Sequence, residues 1–365
     1  MDLKKLHKKL HRNALGIAAL WIISLFYRLI VFIRQALYDF GFLKVTKVNT
    51  RIVCIGNLTT GGTGKTTAVM LAARQLAKAG VRVAIISRGY RRQADPDDMV
   101  VLSNTTPGSW VSAGDEPYML SRSLKDHDVP VIVCANRVKA AQTAVKRFRS
   151  QVIVLDDGFQ HFKLERDSDI VLIDAKNPFG GDALLPLGTL REPKSALKRA
   201  RLAVITHANL ADVVQLDDIR REIHEYNPAL QVIETTHQPE HLFNICTGEV
   251  VPLGTLHGNA AAFSAIGDPG SFEETLFDMG FDLKQKWRYP DHHPYRLEDL
   301  QSVQSLRGGL PIITTYKDFT KFPDGWREIF ADHVYLLSIS LNITGGVKAE
   351  QAWLNALYPK LARNQ

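Results

Sequence analysis

The run from Ile52 to Ala79 constrains the fold more than any other part of the 365-residue chain. Ile52–Ile55 is apolar and of strand length, GNLTTGGTGKTT follows from Gly56 to Thr67, and a helical pattern then covers Ala68–Ala79. A strand that ends in a glycine-rich loop and restarts as a helix gathers backbone N–H groups around one concavity, and the helix N-terminus adds its positive end. Such a loop holds phosphate. Thr59, Thr60, Gly61, Gly62, Thr63 and Gly64 are the expected cradle, Lys65 is expected to reach the β- and γ-phosphates of a nucleotide, and the Thr66 hydroxyl to ligate Mg²⁺. The strict pattern has glycine at position 59, where this chain carries Thr59.

Strand-length apolar runs continue to alternate with helical patterns, at Val81–Ser87, Val131–Cys134, Val152–Leu155, Ile170–Ile173 and Leu202–Thr206. That alternation predicts parallel βαβ units in a doubly wound α/β sheet. Gln231–Thr235 and a hairpin over Phe243–Val251 mark the crossing into a second, smaller α/β unit, with strands at Ala262–Ile266, Pro311–Thr314 and Val334–Ile339. The expected division is 1–47, 48–230 and 231–365. A phosphate loop also needs a carboxylate at the end of a neighbouring buried strand to hold the metal, and Asp156 and Asp157 follow Val152–Leu155. In isolation, adjacent acids at a strand end are often only a solvated turn, which is the lesser reading here. Gly158-Phe159-Gln160-His161 then lets the chain turn sharply and presents an amide and an imidazole beside them.

Charge is distributed unevenly. Residues 1–47 hold nine basic side chains (Lys4, Lys5, Lys8, Lys9, Arg12, Arg28, Arg34, Lys44 and Lys47) against Asp2 and Asp39, which accounts for the whole formal charge of +7. The rest of the chain is balanced, which argues against nucleic acid as a partner. The same segment is the most apolar: Ala14–Tyr27 has no charge, and after Arg28 the run resumes over Leu29–Ile33. Basic and apolar together point to an anionic membrane surface, with the helix lying in the interface and its Lys and Arg on headgroups; a buried core helix is the plainer alternative. No small-residue cleavage site follows, so a signal peptide is not expected. Cys54, Cys134 and Cys246 are far apart and form no paired spacing, so neither disulfides nor a zinc site is expected, and the setting reads as cytoplasmic.

These residues resemble the tetraacyldisaccharide 4'-kinase family of lipid A biosynthesis. GNLTTGGTGKT, SRGY (Ser87–Tyr90), GDEP (Gly114–Pro117), DDGFQH (Asp156–His161), LREP (Leu190–Pro193) and PDHHP (Pro290–Pro294) occur in the family's order, from the N-terminal helix to about Lys321. The resemblance implies transfer of the γ-phosphate of ATP to the 4'-hydroxyl of a tetraacylated glucosamine disaccharide 1-phosphate, forming lipid IV-A, with ATP and Mg²⁺ as cofactors. It implies that Asp115 and His292 act as a catalytic dyad, in which a carboxylate tuned by an imidazole accepts the hydroxyl proton. Arg137 and Arg191 match positions near the phosphates, Asp156 and Asp157 the metal, and Gln160, His161 and Glu192 supporting positions. By themselves His292 and His293 read as a metal pair or a surface turn, but adjacent side chains point apart in most backbones. Departures from the family are Thr67 in place of a proline and Thr315-Tyr316-Lys317-Asp318 in place of Thr-Glu-Lys-Asp.

On this reading the enzyme is peripheral or monotopic on the cytoplasmic face of the bacterial inner membrane, with the acyl chains near the N-terminal helix and no protein partner implied. The sugar hydroxyl is expected to approach between two α/β units whose closure brings His292 to Asp115. The alternative is a membrane-associated ATPase switch of the partition or division type, which shares GGTGKTT. Those switches carry a lysine where this chain has Thr60, and they have no use for GDEP or PDHHP.

Overall fold

The computed structural model describes residues 10–11, 13–90, 92–106 and 108–362. Lys4, Lys5, Lys8, Lys9 and Arg12, the basic lead-in, lie outside the described residues. The strands are β1 (Arg51–Asn57), β2 (Val83–Ser87), β3 (Val100–Leu102), β4 (Val131–Val133), β5 (Val152–Asp156), β6 (Ser168–Asp174), β7 (Leu202–Thr206), β8 (Gln231–Asn244), β9 (Val250–Val251), β10 (Gly258–Ser264), β11 (Phe281–Arg288), β12 (Ile312–Thr315) and β13 (Val334–Thr344). The chain forms two compact units, each discontinuous in sequence. Residues 1–88, 134–236 and 343–365 make one; residues 89–133 and 237–342 make the other. The passage at 236/237 lies close to the expected boundary, whereas 89–133 joins the later residues and 343–365 the earlier ones.

In the first unit the strands run β8-β7-β6-β1-β5-β2, and every pairing is parallel. β1 is central, between β5 and β6. Val53, Cys54, Ile55, Val154, Leu155 and Ile170 have no exposed surface, as expected of parallel strands covered on both faces. Parallel strands all end on the same side, so the loop after β1 and the acids after β5 lie together; Ile55 pairs with Asp156. Helix Gly346–Leu357 closes this unit, with the Trp353 indole N–H on Gln75 (2.7 Å) and the Arg51 guanidinium on the Leu357 carbonyl (2.7 Å).

The second unit has its own parallel run β11-β10-β12-β13, an antiparallel pair β3-β4 and the hairpin Leu242–Val251. Apolar clusters cover both faces of the parallel run: Phe263, Ile312 and Leu336 point to one, Ala262, Ile313 and Tyr335 to the other. β3 and β11 are strands the sequence patterns did not announce.

The apolar N-terminal segment is one helix, Ala14–Asp39, begun by the Asn13 side chain accepting from the Gly16 N–H. It is the one helix among the described residues long and apolar enough to cross a membrane. Most of its large apolar side chains are exposed, including Trp21, Phe26, Ile30 and Phe32. That exposure is unlike a core helix. Arg34 does not reach outward as expected for headgroup contact; its guanidinium lies 5.2 Å from the centre of the Phe162 ring, a cation–π contact within the protein.

Candidate active site

In the first unit, two glycine properties shape the phosphate loop. Gly64 has φ of +75°, which favours glycine, and from it the chain enters helix Lys65–Lys78 with no side-chain cap among the described residues. The N–H groups of that first turn are therefore available to an anion. Gly56 is required by proximity: a Cβ there would lie 2.7 Å from the Cβ of Phe159, so the DDGFQH segment packs directly on the end of β1. Thr59 and Thr63 are buried, Thr60, Gly61 and Gly62 are exposed, and Thr66 lies half-buried in the first helical turn. The Thr63 hydroxyl has no hydrogen-bond partner among the described residues.

Charged groups converge on the loop. The Lys65 ammonium donates to the Asn57 side-chain oxygen (3.3 Å) and lies 3.9 Å from Asp157. One Arg191 nitrogen reaches both Asp157 oxygens at 2.9 Å and the Gln160 side-chain oxygen at 3.4 Å. Asp156 ends β5 and accepts from the Ser87 hydroxyl (2.9 Å), a partner that SRGY contained but the sequence reading gave no role. Arg137, the first residue of helix Arg137–Phe148, is buried beside both aspartates, and burial followed by the neighbouring Arg88 lowers its affinity for a proton. Burial pushes the Asp157 carboxyl up, but Lys65 and Arg191 outweigh it and hold it below its ordinary value. His161 is driven down to about 4 by burial and by Arg137 and Arg166, so it is neutral at neutral pH. Glu192 is wholly buried and does not touch the loop. It pairs with Arg199 (2.8 Å), whose guanidinium stacks 3.7 Å from the Phe159 ring centre.

The second unit holds the other group. Asp115 opens helix Asp115–Ser123 after Gly114, whose φ of +93° sets the turn. The His292 Nδ1 lies 2.7 Å from one Asp115 oxygen, and the other oxygen accepts from the Glu116 N–H (3.0 Å). Both residues belong to the same compact unit, so their contact is already formed and does not wait on closure of two units as the sequence suggested. His293 points away to Asp299 (2.9 Å), so the two histidines do not share a ligand. Burial raises the Asp115 carboxyl, but the hydrogen bond from His292 and the nearby Lys317 ammonium leave it below its ordinary value. Asp115, His292 and Lys321 face one cavity of about 210 Å³. Lys321, which the sequence reading did not single out, is buried and paired with the equally buried Asp318 at 3.2 Å. Lys317, in the divergent Thr315–Asp318 segment, sits 3.5 Å from Asp291 and 3.9 Å from Glu116.

One unit thus offers an anion cradle with hard oxygen donors, and the other an ionised carboxylate oriented by an imidazole. The comparisons with known proteins agree on the family. A sequence profile described as tetraacyldisaccharide-1-P 4'-kinase (LpxK) matches residues 17–358. A tetraacyldisaccharide 4'-kinase of Elusimicrobium minutum is 52% identical over 361 residues, covering 99% of this chain and 96% of the relative. Another, of Halothermothrix orenii, is 37% identical with 90% of each chain covered. A solved structure described as LpxK from Aquifex aeolicus in complex with ATP aligns with a TM-score of 0.73 at 31% identity, over 94% of this chain and 99% of that one. The chain therefore belongs to the tetraacyldisaccharide-1-P 4'-kinase family.

Proposed function

We propose that the chain transfers the γ-phosphate of ATP to the 4'-hydroxyl of a tetraacylated glucosamine disaccharide 1-phosphate at the cytoplasmic face of the inner membrane. Family membership supports the reaction; the observation that carries the residue assignment is the buried Asp115–His292 contact of 2.7 Å. A phosphate loop alone serves many ATPases. An ionised carboxylate bonded to an imidazole and facing a cavity suits an acceptor that must lose a proton, and the partition-type switch has no such acceptor.

The loop 59–64 and the first turn of helix Lys65–Lys78 hold the β- and γ-phosphates, and Lys65 and Arg191 offset charge on the transferring group. Asp156, Asp157 and the Thr66 hydroxyl are hard oxygen donors of the kind Mg²⁺ takes alongside phosphate oxygens, and they fit that ion. Mg²⁺ bound there neutralises phosphate charge. Arg137 adds a fixed positive charge beside the aspartates. Asp115 takes the proton of the sugar hydroxyl as its oxygen bonds to phosphorus and the bond to the leaving ADP oxygen breaks. His292 holds the carboxylate in place. The outward face of helix Ala14–Asp39, crowded with apolar side chains, suits the acyl region of a membrane, and the acceptor's acyl chains share that environment.

The test is Asp115→Ala. Transfer to the sugar is expected to fall by roughly 10²–10⁴-fold while ATP binds with similar affinity, because the loop contacts remain. His292→Ala should fall by no more, and the double variant by less than the product of the two losses. Normal transfer by Asp115→Ala refutes the role.

A further inference from the structure

Helix Ala14–Asp39 turns one stripe, in which several polar side chains lie, toward the protein. Leu20, Ser24, Tyr27, Val31, Arg34 and Tyr38 recur at alternating spacings of four and three, which places them on one face, and all six are buried or half-buried. Four of them make specific contacts. The Ser24 hydroxyl donates to the Leu184 carbonyl (2.9 Å) and the Tyr27 hydroxyl to the Arg191 carbonyl (2.9 Å). Tyr38 stacks on Phe162 with ring centres 5.3 Å apart, and Arg34 lies over the same ring.

Three of these contacts end on segments that carry the phosphate site. Phe162 follows Gln160 and His161 directly. Arg191 is clamped along its backbone: its N–H donates to the Leu58 carbonyl (2.7 Å), Leu190 bridges Thr59, and Thr60 donates to the Thr189 carbonyl (2.8 Å). The strip Thr189–Arg191 is thus sewn to the start of the phosphate loop on one side. Tyr27 secures its remaining carbonyl from the other. The Arg191 guanidinium grips Asp157.

We propose that Tyr27 is a positioning residue for Arg191, and that the inner face of the membrane-facing helix is in this way part of the phosphate site. The proposal rests on the reading of Arg191 and Asp157 as phosphate and metal groups. Seating of the helix and alignment of the phosphate-gripping arginine are then one event, because the same rigid rod carries the outer apolar face and the tyrosine hydroxyl.

The experiment uses the full chain with Tyr27→Phe, which keeps the ring and removes only the hydroxyl, together with Arg191→Ala and the double variant. Sedimentation with anionic phospholipid vesicles and the melting temperature are followed beside steady-state transfer to detergent-dispersed acceptor. Tyr27→Phe is expected to bind vesicles as wild type and keep its KM for the acceptor, while kcat falls about three- to tenfold, the size of one lost hydrogen bond. Arg191→Ala is expected to lose about 100-fold. Adding Tyr27→Phe to it should cost nothing further, since the two act as one unit. Wild-type kcat in Tyr27→Phe, or a loss that multiplies in full with that of Arg191→Ala, overturns the coupling while leaving the site reading intact. Wild-type transfer by Arg191→Ala alone removes the site reading, and the coupling with it.

Discussion

Asp157 and His292 share a backbone state that few non-glycine residues adopt, with φ of +50° and +65°. Holding such a residue there costs about 1–3 kcal/mol, so neighbouring bonds must impose it. The Asp157 N–H donates to the Ile55 carbonyl (3.0 Å) and the His292 N–H to the Ala265 carbonyl (3.2 Å). Their motifs singled both out as candidates, but the strain was not legible, because it arises from strands remote in sequence. His161 illustrates the same limit: the sequence offered an imidazole beside a metal, and only burial among arginines makes it a neutral one. Its lowered folded pKa has a definite sign. The unfolded chain takes up this proton near pH 6.5 and the folded chain only near 4, so stability present above 6.5 drains away as pH falls between those values. His161→Phe is expected to flatten the fall in melting temperature over that window, as calorimetry at stepped pH would register; an unchanged slope contradicts it.

Among the elements, the longer strands buried on both faces were readable, whereas the three-residue β3, though apolar, and the half-exposed β11 were not. β5 and β7 fall where Val152–Leu155 and Leu202–Thr206 indicated, within a residue, because strands buried on both faces have no polar positions to confuse the pattern. β11 escaped because Asp282, Lys284, Lys286 and Arg288 alternate with its inward residues, and it pairs through β10 alone at the end of its run. The N-terminal helix was readable as apolar, but Arg34, expected on headgroups with the other basic side chains, turns inward onto Phe162. Its outer face gives an element-level prediction. Phe26 and Ile30 are four residues apart and both 64% exposed. Each large apolar side chain buried is worth about 1.5–3 kcal/mol, so Phe26→Ser/Ile30→Ser should weaken partition into vesicles at least about tenfold. Transfer to detergent-dispersed acceptor should remain, because neither side chain is on the inner stripe. Vesicle binding equal to wild type would show that the membrane contact lies elsewhere.

For the whole molecule, what matters is that the first unit is assembled from three separated stretches of chain. A phosphate loop at residues 56–67 suggested a self-contained domain ending near 230, and nothing in the composition of Gly346–Leu357 announced that it belongs to the same body. Trp353 and Leu357 have no exposed surface and Leu354 very little. Together they account for roughly 5–9 kcal/mol of burial, comparable to the whole stability of an ordinary domain. A chain stopped at Thr344 is expected to lose cooperative melting and binding of an ATP analogue; retention of both would mean the closing helix is dispensable. The same arrangement sets a clock. Arg51 cannot meet the Leu357 carbonyl until 306 further residues have been made, which at ordinary rates of synthesis takes roughly 15–60 s. The inner stripe of helix Ala14–Asp39 waits less, because Phe162, Leu184 and Arg191, the residues it contacts, are all made by residue 191. The N-terminal helix therefore has its partners to hand long before the closing helix is made, so the two ends of the chain join the first unit at different times.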